Sequence, residues 1–499
     1  MNRSRLNTDI WHLVLSYADR HTVSQTMKTC RFLNRDGVKY LLRDGVVLSQ
    51  MLQPRSIDSF LAFMIGPRIQ RVEDIMRYRF QFLGSLSICF FSVRVSASVE
   101  TVWRITRFFV VCKQYATNLT RLKISDAEPL MHLDEELPGA IAALTSLTHL
   151  EVRDVGDHTS HMLSALCSEL VSATISLLVE PDSQQDAPGP TYKTPTFLLK
   201  PSTTLRNLAL SYSGSSEFTR RPITPNRPPA PELEHVHMFD THHLACAFPC
   251  LQTLTAKDCT SLCAGESEDW EDQRRALNVA KQTQHGSWPS LRLFKGTIRA
   301  LYILGICCPV AHLRLWDEED DFSELRMLAA IFRDTTPSRL NLYMPGARWI
   351  FDEELAAAFI QPSTEQLDSF ELYLSIKDYD LGLDVDLVLV SPQAPLNLGC
   401  RLIREMQDRL CMVIEGMSIR SFTLTLDWSA LFMGEDEEAE LSPTEAALEN
   451  LAEDELTERL FALRDTLDFV KVRLVRLSGE THTASRKEDE VSGVQVTRR

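Results

Sequence analysis

The sequence predicts an α/β chain: three short helices at the N-terminus, then an irregular solenoid of parallel strands with helices on its outer side. Three observations predict it. Residues 6–44 hold three amphipathic stretches at helical spacing. Beyond residue 80 an apolar residue, two variable ones, an apolar residue, one variable and a third apolar residue recur as a unit. Helical patterns fall between many of these units, so strand and helix alternate, the arrangement of a parallel sheet covered on one face.

The first helix starts at Asn7 or Thr8, whose side-chain oxygens can cap free amides, with Asp9 well placed against the helix dipole. Ile10, Leu13, Val14 and Tyr17 then share one face. Thr22 and Gln25 read as a capping box for a second helix with Val23, Met27 and Cys30 as its buried stripe. Val38, Leu41 and Leu42 give the third helix its inner face. This order resembles the F-box, the three-helix module that docks onto the Skp-type adaptor of cullin-based ubiquitin ligases. The resemblance rests on Leu6, Asp9-Ile10, the Leu13-Val14-Leu15 run, Val23 and the Cys30-Arg31 pair, and departs from the family at Asn7, where a proline is usual. It implies an adaptor contact through Leu6, Ile10, Leu13, Val14 and Val23. Read without the resemblance, the same helices could cap the open end of a repeat array.

Copies of the apolar triplet begin at Leu83, Leu119, Leu147, Leu205, Leu233, Leu251, Val310, Leu367, Ile419 and Phe469. In Leu119-x-x-Leu122-x-Ile124 and Leu147-x-x-Leu150-x-Val152 the last two apolar residues alternate inward along a short strand. The pattern resembles the strand segment of leucine-rich repeats, with uneven spacing and with Cys259 as the one good instance of the cysteine or asparagine that usually follows. The resemblance implies stacked repeats, since one unit cannot bury its own apolar face.

Helices are expected at 132–144, 158–171, 321–333, 398–412 and, with Ser442 as cap, 442–463. Residues 181–202 and 213–232 are crowded with proline, serine and glycine and read as insertions. The organisation is therefore a helical module at 1–45, connecting helices at 46–79, a repeat domain at 80–477 and a polar tail at 478–499 expected to be disordered.

With 52 basic against 68 acidic residues the 499-residue chain carries a formal charge of −16, and no basic patch stands out, which argues against nucleic acid and anionic membrane as partners. The N-terminus lacks an apolar signal region and no run of eighteen apolar residues occurs, so a cytoplasmic or nuclear protein is expected. The twelve cysteines sit at otherwise apolar positions, as small buried hydrophobes do.

No phosphate-binding glycine loop, glycine-flanked serine or His-Glu-x-x-His helix is present, so no catalytic residue and no cofactor is expected. His235, His237, His242, His243, Cys246, Cys250, Cys259 and Cys263 crowd together, but without zinc-knuckle spacing, and read as structural. The variable positions between inward residues point to the open face of the sheet. His149, Arg153, His235, His237, Phe239, His312, Arg314, Trp316 and Tyr373 form the candidate face for a substrate protein, with Arg121, Lys123, Glu151, Thr253, Lys257, Glu371, Lys471 and Arg473 beside them. The resemblance implies a substrate-recognition adaptor of a ubiquitin ligase, contacting a Skp-type adaptor and through it a cullin. The alternative is an intracellular repeat scaffold unconnected to any ligase.

Overall fold

The computed structural model describes residues 7–49, 54–65, 72–89, 99–178, 199–213, 240–257, 268–317, 325–346, 350, 353–376, 395–429, 448–476, 481–487 and 490–497. The chain divides into two compact units, 1–238 with 246–250 and 239–245 with 251–499.

The first unit opens with α1 (Thr8–Tyr17), α2 (Arg20–Met27) and α3 (Arg31–Leu42). Asn7 accepts from the Asp9 amide, as its sequence position suggests. At α2 the cap is Asp19, which accepts from Thr22 N at 2.7 Å, instead of the expected Thr22–Gln25 box. Helix α1 ends at Tyr17, so Asp19 is the side chain that can reach the first free amides of α2. Cys30 is exposed at the N-cap of α3 and does not join the buried stripe, because α2 ends three residues before it. Leu15, Val23, Met27, Leu33, Val38 and Leu42 are buried and make the small core of this module. Gly37 permits its tightest contact, since a Cβ there would run into Met27 Cγ.

The unit continues with β1 (Val46–Ser49), α4 (Pro54–Ile65), α5 (Val72–Phe80), β2 (Ser85–Cys89), α6 (Val99–Tyr115), β3 (Arg121–Ser125), α7 (Ala127–His132), α8 (Glu136–Ala142), β4 (His149–Val155), α9 (Asp157–Ala165), β5 (Ser172–Leu178) and β6 (Asn207–Ser213). Strands β1 to β6 pair in sequence order, all parallel. Strand β1 lies where only connecting helices are expected. Of the helix expected at 132–144 only Glu136–Ala142 is helical beyond His132, where α7 ends, and Asp134 Oδ1 between the two helices accepts from Glu136 N at 2.9 Å. The helix expected at 158–171 stops at Ala165, leaving room for β5.

A repeating hydrogen bond marks several turns of the stack: one carbonyl just before a strand accepts two consecutive amides of the next repeat. Thr120 O accepts from Thr148 N and His149 N, both at 2.9 Å, and Thr148 O from Val171 N and Ser172 N at 2.8 and 3.0 Å. In the second unit Ser338 O, Asp368 O and Arg420 O do the same for the residues ahead of β11, β12 and β13. The buried triplets stay in register across the first unit, with Leu122, Leu150, Ala173 and Leu208 in one row and Ile124, Val152, Ile175 and Leu210 in the next.

The division between units falls within α10 (Thr241–Ala247). The second unit then contains β7 (Thr253–Lys257), α11 (Glu268–His285), β8 (Leu291–Thr297), α12 (Ile298–Leu304), β9 (Val310–Trp316), α13 (Leu325–Thr335), β10 (Arg339–Met344), α14 (Glu353–Phe359), β11 (Ser369–Ser375), α15 (Pro395–Glu415), β12 (Ser421–Asp427), α16 (Glu453–Phe461), β13 (Phe469–Val475), β14 (Thr481–Lys487) and β15 (Glu490–Thr497). Strands β7 to β13 are parallel neighbours in sequence order. The buried row Leu313, Leu340, Phe370, Phe422 and Val470 shows that the last triplet begins at Leu467, two residues before the expected Phe469. A shift of two preserves which side each residue faces. Gly296 takes the third apolar position in β8, where a Cβ would meet Ala256 O and the Phe294 ring.

Beneath the sheet, Phe332, Phe359, Phe370 and Phe422 form a continuous aromatic ladder with centroids 5.2, 5.1 and 5.5 Å apart. Helix α11 adds a buried polar stripe that completes α12: Arg275 Nη1 donates to Tyr302 O at 2.9 Å, Asn278 to Ile303 O at 2.8 Å and Gln282 to Gly305 O at 2.7 Å. They lie at the C-terminal end of α12, where the helix cannot satisfy all its carbonyls itself; Tyr302 O also accepts from Gly305 N at 3.0 Å.

Where a disordered tail is expected, residues 481–487 and 490–497 are strands: β14 pairs antiparallel with β13, and β15 with β14. Beyond backbone pairing, β14 buries Thr481 and Ala484, His482 Nδ1 lies 3.3 Å from Glu453, and Arg486 binds Glu458 and covers the Phe461 ring, contacts that composition does not reveal. The insertions at 181–202 and 213–232 fall mostly outside the described residues, as do the triplet at Leu233 and Cys259.

Candidate functional site

Helix α1 turns its apolar side outward. Ile10 is 46 % exposed, Leu13 58 %, Val14 47 % and Tyr17 85 %, whereas Leu15 is buried and faces the core of the module. An amphipathic helix normally buries its apolar stripe, whereas here four large apolar side chains share one exposed face. Val23, grouped with them by the F-box resemblance, is buried and belongs to the core of the module. Leu6 lies outside the described residues.

On the first unit's sheet, the residues between the buried positions reach the open face as expected. Register places Arg121 beside His149 and Lys123 beside Glu151. Glu151 is bound by Lys123 Nζ at 2.8 Å and Arg153 Nη2 at 2.9 Å, and these two cations hold its carboxyl below the ordinary range against the opposing effect of burial. His149 is exposed, its Nδ1 2.9 Å from Thr148 Oγ1. The neighbouring face is built of small polar side chains, Ser85, Ser87, Ser172, Thr174, Asn207 and Ser211.

Where β3 and β4 end, Asp126 and Asp154 both take left-handed backbone, with φ 53° and 60°. Burial first, and then the Asp154 carboxylate, push the Asp126 carboxyl up to about 6. Glu128 lies close by in sequence and has the opposite fate. It accepts from the amides of Gly156, His158 and Thr159 at 3.1, 2.8 and 2.9 Å, capping α9, and those bonds outweigh burial and hold its carboxyl low.

The second unit's open face is more elaborate. Three rows run across it: His312, Arg339, Ser369, Ser421 and Phe469; Lys295, Arg314, Asn341, Glu371, Thr423 and Lys471; and Trp316, Tyr343, Tyr373, Thr425 and Arg473. Tyr343 and Tyr373 stack with centroids 4.5 Å apart and planes 20° apart. The Tyr373 hydroxyl donates to Asp427, and burial together with that carboxylate raises its pKa. His312 Nε2 donates to Asn341 Oδ1 at 2.7 Å, and Asn341 Nδ2 donates in turn to Glu371. Burial, reinforced by Arg314 and Arg339, keeps the His312 imidazole below its ordinary pKa and so neutral near pH 7.

The structure therefore gathers His312, Arg314, Trp316 and Tyr373 on one face of the second unit and His149 and Arg153 on one face of the first. His235, His237 and Phe239 lie outside the described residues. Sequence reasoning missed Lys295, Arg339, Asn341 and Tyr343, because the β8 triplet ends on Gly296 and the β10 triplet opens on Pro337; Pro337-x-x-Leu340-x-Leu342 was the signal available for the second. In the histidine and cysteine cluster, His243 Nδ1 and Lys281 Nζ bind the buried Asp240 at 2.9 and 2.7 Å. Among the described residues, no group of three or more His, Cys, Asp and Glu side chains is placed to hold a metal ion, and no helix is long and apolar enough to cross a membrane.

No protein-family model and no curated protein matches the chain. Among solved structures, it is similar to the leucine-rich repeat-containing protein LegL7 from Legionella pneumophila at 13 % identity, over 69 % of this chain and 83 % of that one, with a TM-score of 0.31.

Proposed function

We propose that this chain is a non-catalytic interaction adaptor in which α1 docks a Skp-type adaptor of a cullin-based ubiquitin ligase and an open sheet face holds a target protein. The observation that carries the reading is the outward apolar stripe of Ile10, Leu13, Val14 and Tyr17 on a helix anchored from behind by Leu15. A helix that merely capped the repeat array would bury that stripe against it. Three short N-terminal helices and the exposure of Ile10, Leu13 and Val14 support the reading, and Val23, being buried, drops out of the adaptor contact that the resemblance implies. Catalysis would then arise by proximity: the chain raises the effective concentration of its target near a ubiquitin-conjugating enzyme and supplies no reacting group.

The test is co-purification of the full chain with the Skp-type adaptor, comparing the natural sequence with an Ile10→Asp, Leu13→Asp double variant. Both positions are exposed, so the far-UV circular dichroism should not change, while burying two carboxylates in the complex should reduce adaptor binding at least about a hundredfold. Absence of binding by the folded natural chain refutes the ligase reading and leaves the repeat scaffold.

A further inference from the structure

The chain carries a formal charge of −16, yet the open face of its second unit is cationic. Lys295, Arg314, Arg339, Lys471 and Arg473 come from four strands far apart in sequence and are brought to one side of the sheet by the register of β8, β9, β10 and β13. None of the five is ion-paired with a carboxylate among the described residues, and Arg473 Nε is a buried donor without a partner. Among the described residues the two carboxylates on the face are already engaged: Glu371 accepts from Asn341, and Asp427 accepts from the Tyr373 hydroxyl and from Ser429 N at 3.0 Å and Ser429 Oγ at 2.7 Å. An acidic protein that concentrates unpaired cations on one surface presents a charge-complementary site.

We propose that this face binds an extended protein segment whose aspartate and glutamate side chains flank a central apolar residue. The positions of the charges decide the class. Lys295 and Arg314 stand at one end of the middle row and Lys471 at the other, five strand spacings from Lys295, or about 24 Å. Roughly seven residues of extended chain cover that distance. Between the cations lie Glu371 and the Tyr343–Tyr373 stack, with Trp316 in the same row as the tyrosines. Acidic side chains at both ends would meet the cations, and an apolar side chain in the middle would lie on the aromatic rings. A nucleic acid carries a phosphate at every step and would place negative charge against Glu371, so the interrupted pattern favours a peptide.

This inference rests on the reading that a sheet face of this chain holds a protein. It is tested with the full chain by fluorescence anisotropy, using as probes a labelled acidic peptide, EDEDLFEDED, its amide counterpart QNQNLFQNQN, and oligothymidine. The expected result is binding of the acidic peptide, weakened by added salt and at least about tenfold weaker for the amide counterpart and for the Lys471→Gln, Arg473→Gln variant. Arg121→Glu, on the first unit's sheet, leaves it unchanged. Far-UV circular dichroism verifies that each variant is folded, and an Arg314→Gln variant repeats the test at the opposite end of the row. No binding of the acidic peptide, binding indifferent to both sets of substitutions, or tighter binding of oligothymidine overturns the proposal. Adaptor co-purification is measured on the same variants: if it persists while the peptide fails, only this inference falls, and if the peptide binds while the adaptor does not, the ligase reading falls and this one stands.

Discussion

Replacing Asp126 by Asn should stabilise the protein above pH 6 and do nothing below about pH 4. Asp126 occupies the N-cap position of α7 without making a side-chain capping bond, and Asp154 of the neighbouring repeat faces it. Burial and that repulsion lift its carboxyl from 3.8 to about 6. Because the folded value exceeds the unfolded one, the folded chain binds the proton more tightly between about pH 4 and pH 6, and stability is lost as pH rises through that window. The interval corresponds to about 3 kcal/mol, and solvent screening of a half-buried group reduces it to roughly 1–2 kcal/mol. Asparagine tolerates the left-handed backbone at φ 53°, so the substitution adds no strain. Urea denaturation of parent and variant across this pH range should give midpoints that coincide in acid and separate with rising pH, the variant being more stable. A variant that is less stable at pH 7, or a difference independent of pH, would show that the Asp126 carboxylate does not destabilise the fold.

Two further outcomes are expected. Glu128→Gln removes a charge that three backbone amides stabilise, so it should cost about 1–2 kcal/mol near neutral pH; since the folded carboxyl titrates below its unfolded value, the cost should fade as pH falls through the folded value, in the same urea series. Phe370→Ala opens the middle of the aromatic ladder and should destabilise the second unit by about 3–5 kcal/mol, read as a lower denaturation midpoint.

Much of the framework is legible in the sequence because burial obeys simple periods. The helices at the N-terminus and the strands opened by Leu119, Leu147, Leu205, Leu367 and Ile419 satisfy those periods with large apolar residues, and they form where expected. Strands β5, β8 and β10 escape because Ala173, Gly296 and Pro337 stand at triplet positions in place of large apolar residues, Gly296 because only the assembled stack shows that a Cβ there would meet Ala256 O and Phe294. Missing β10 hid Tyr343, and with it the aromatic stack. Periodicity alone did not distinguish which apolar residues of α1 face outward, because Leu15, one residue beyond the Leu13-Val14 pair, provides the anchor. The cationic face is invisible to a sequence window: its charges lie on strands between Lys295 and Arg473, and pairing register alone brings them together.

If α1 docks the Skp-type adaptor as proposed, amide hydrogen exchange of the full chain with and without that adaptor reads the contact at the helix itself. Exchange should slow at Thr8–Tyr17 and in the neighbouring helix Arg20–Met27, with the strands of the second unit unaffected. Unchanged exchange across Thr8–Tyr17 in the presence of saturating adaptor would contradict it.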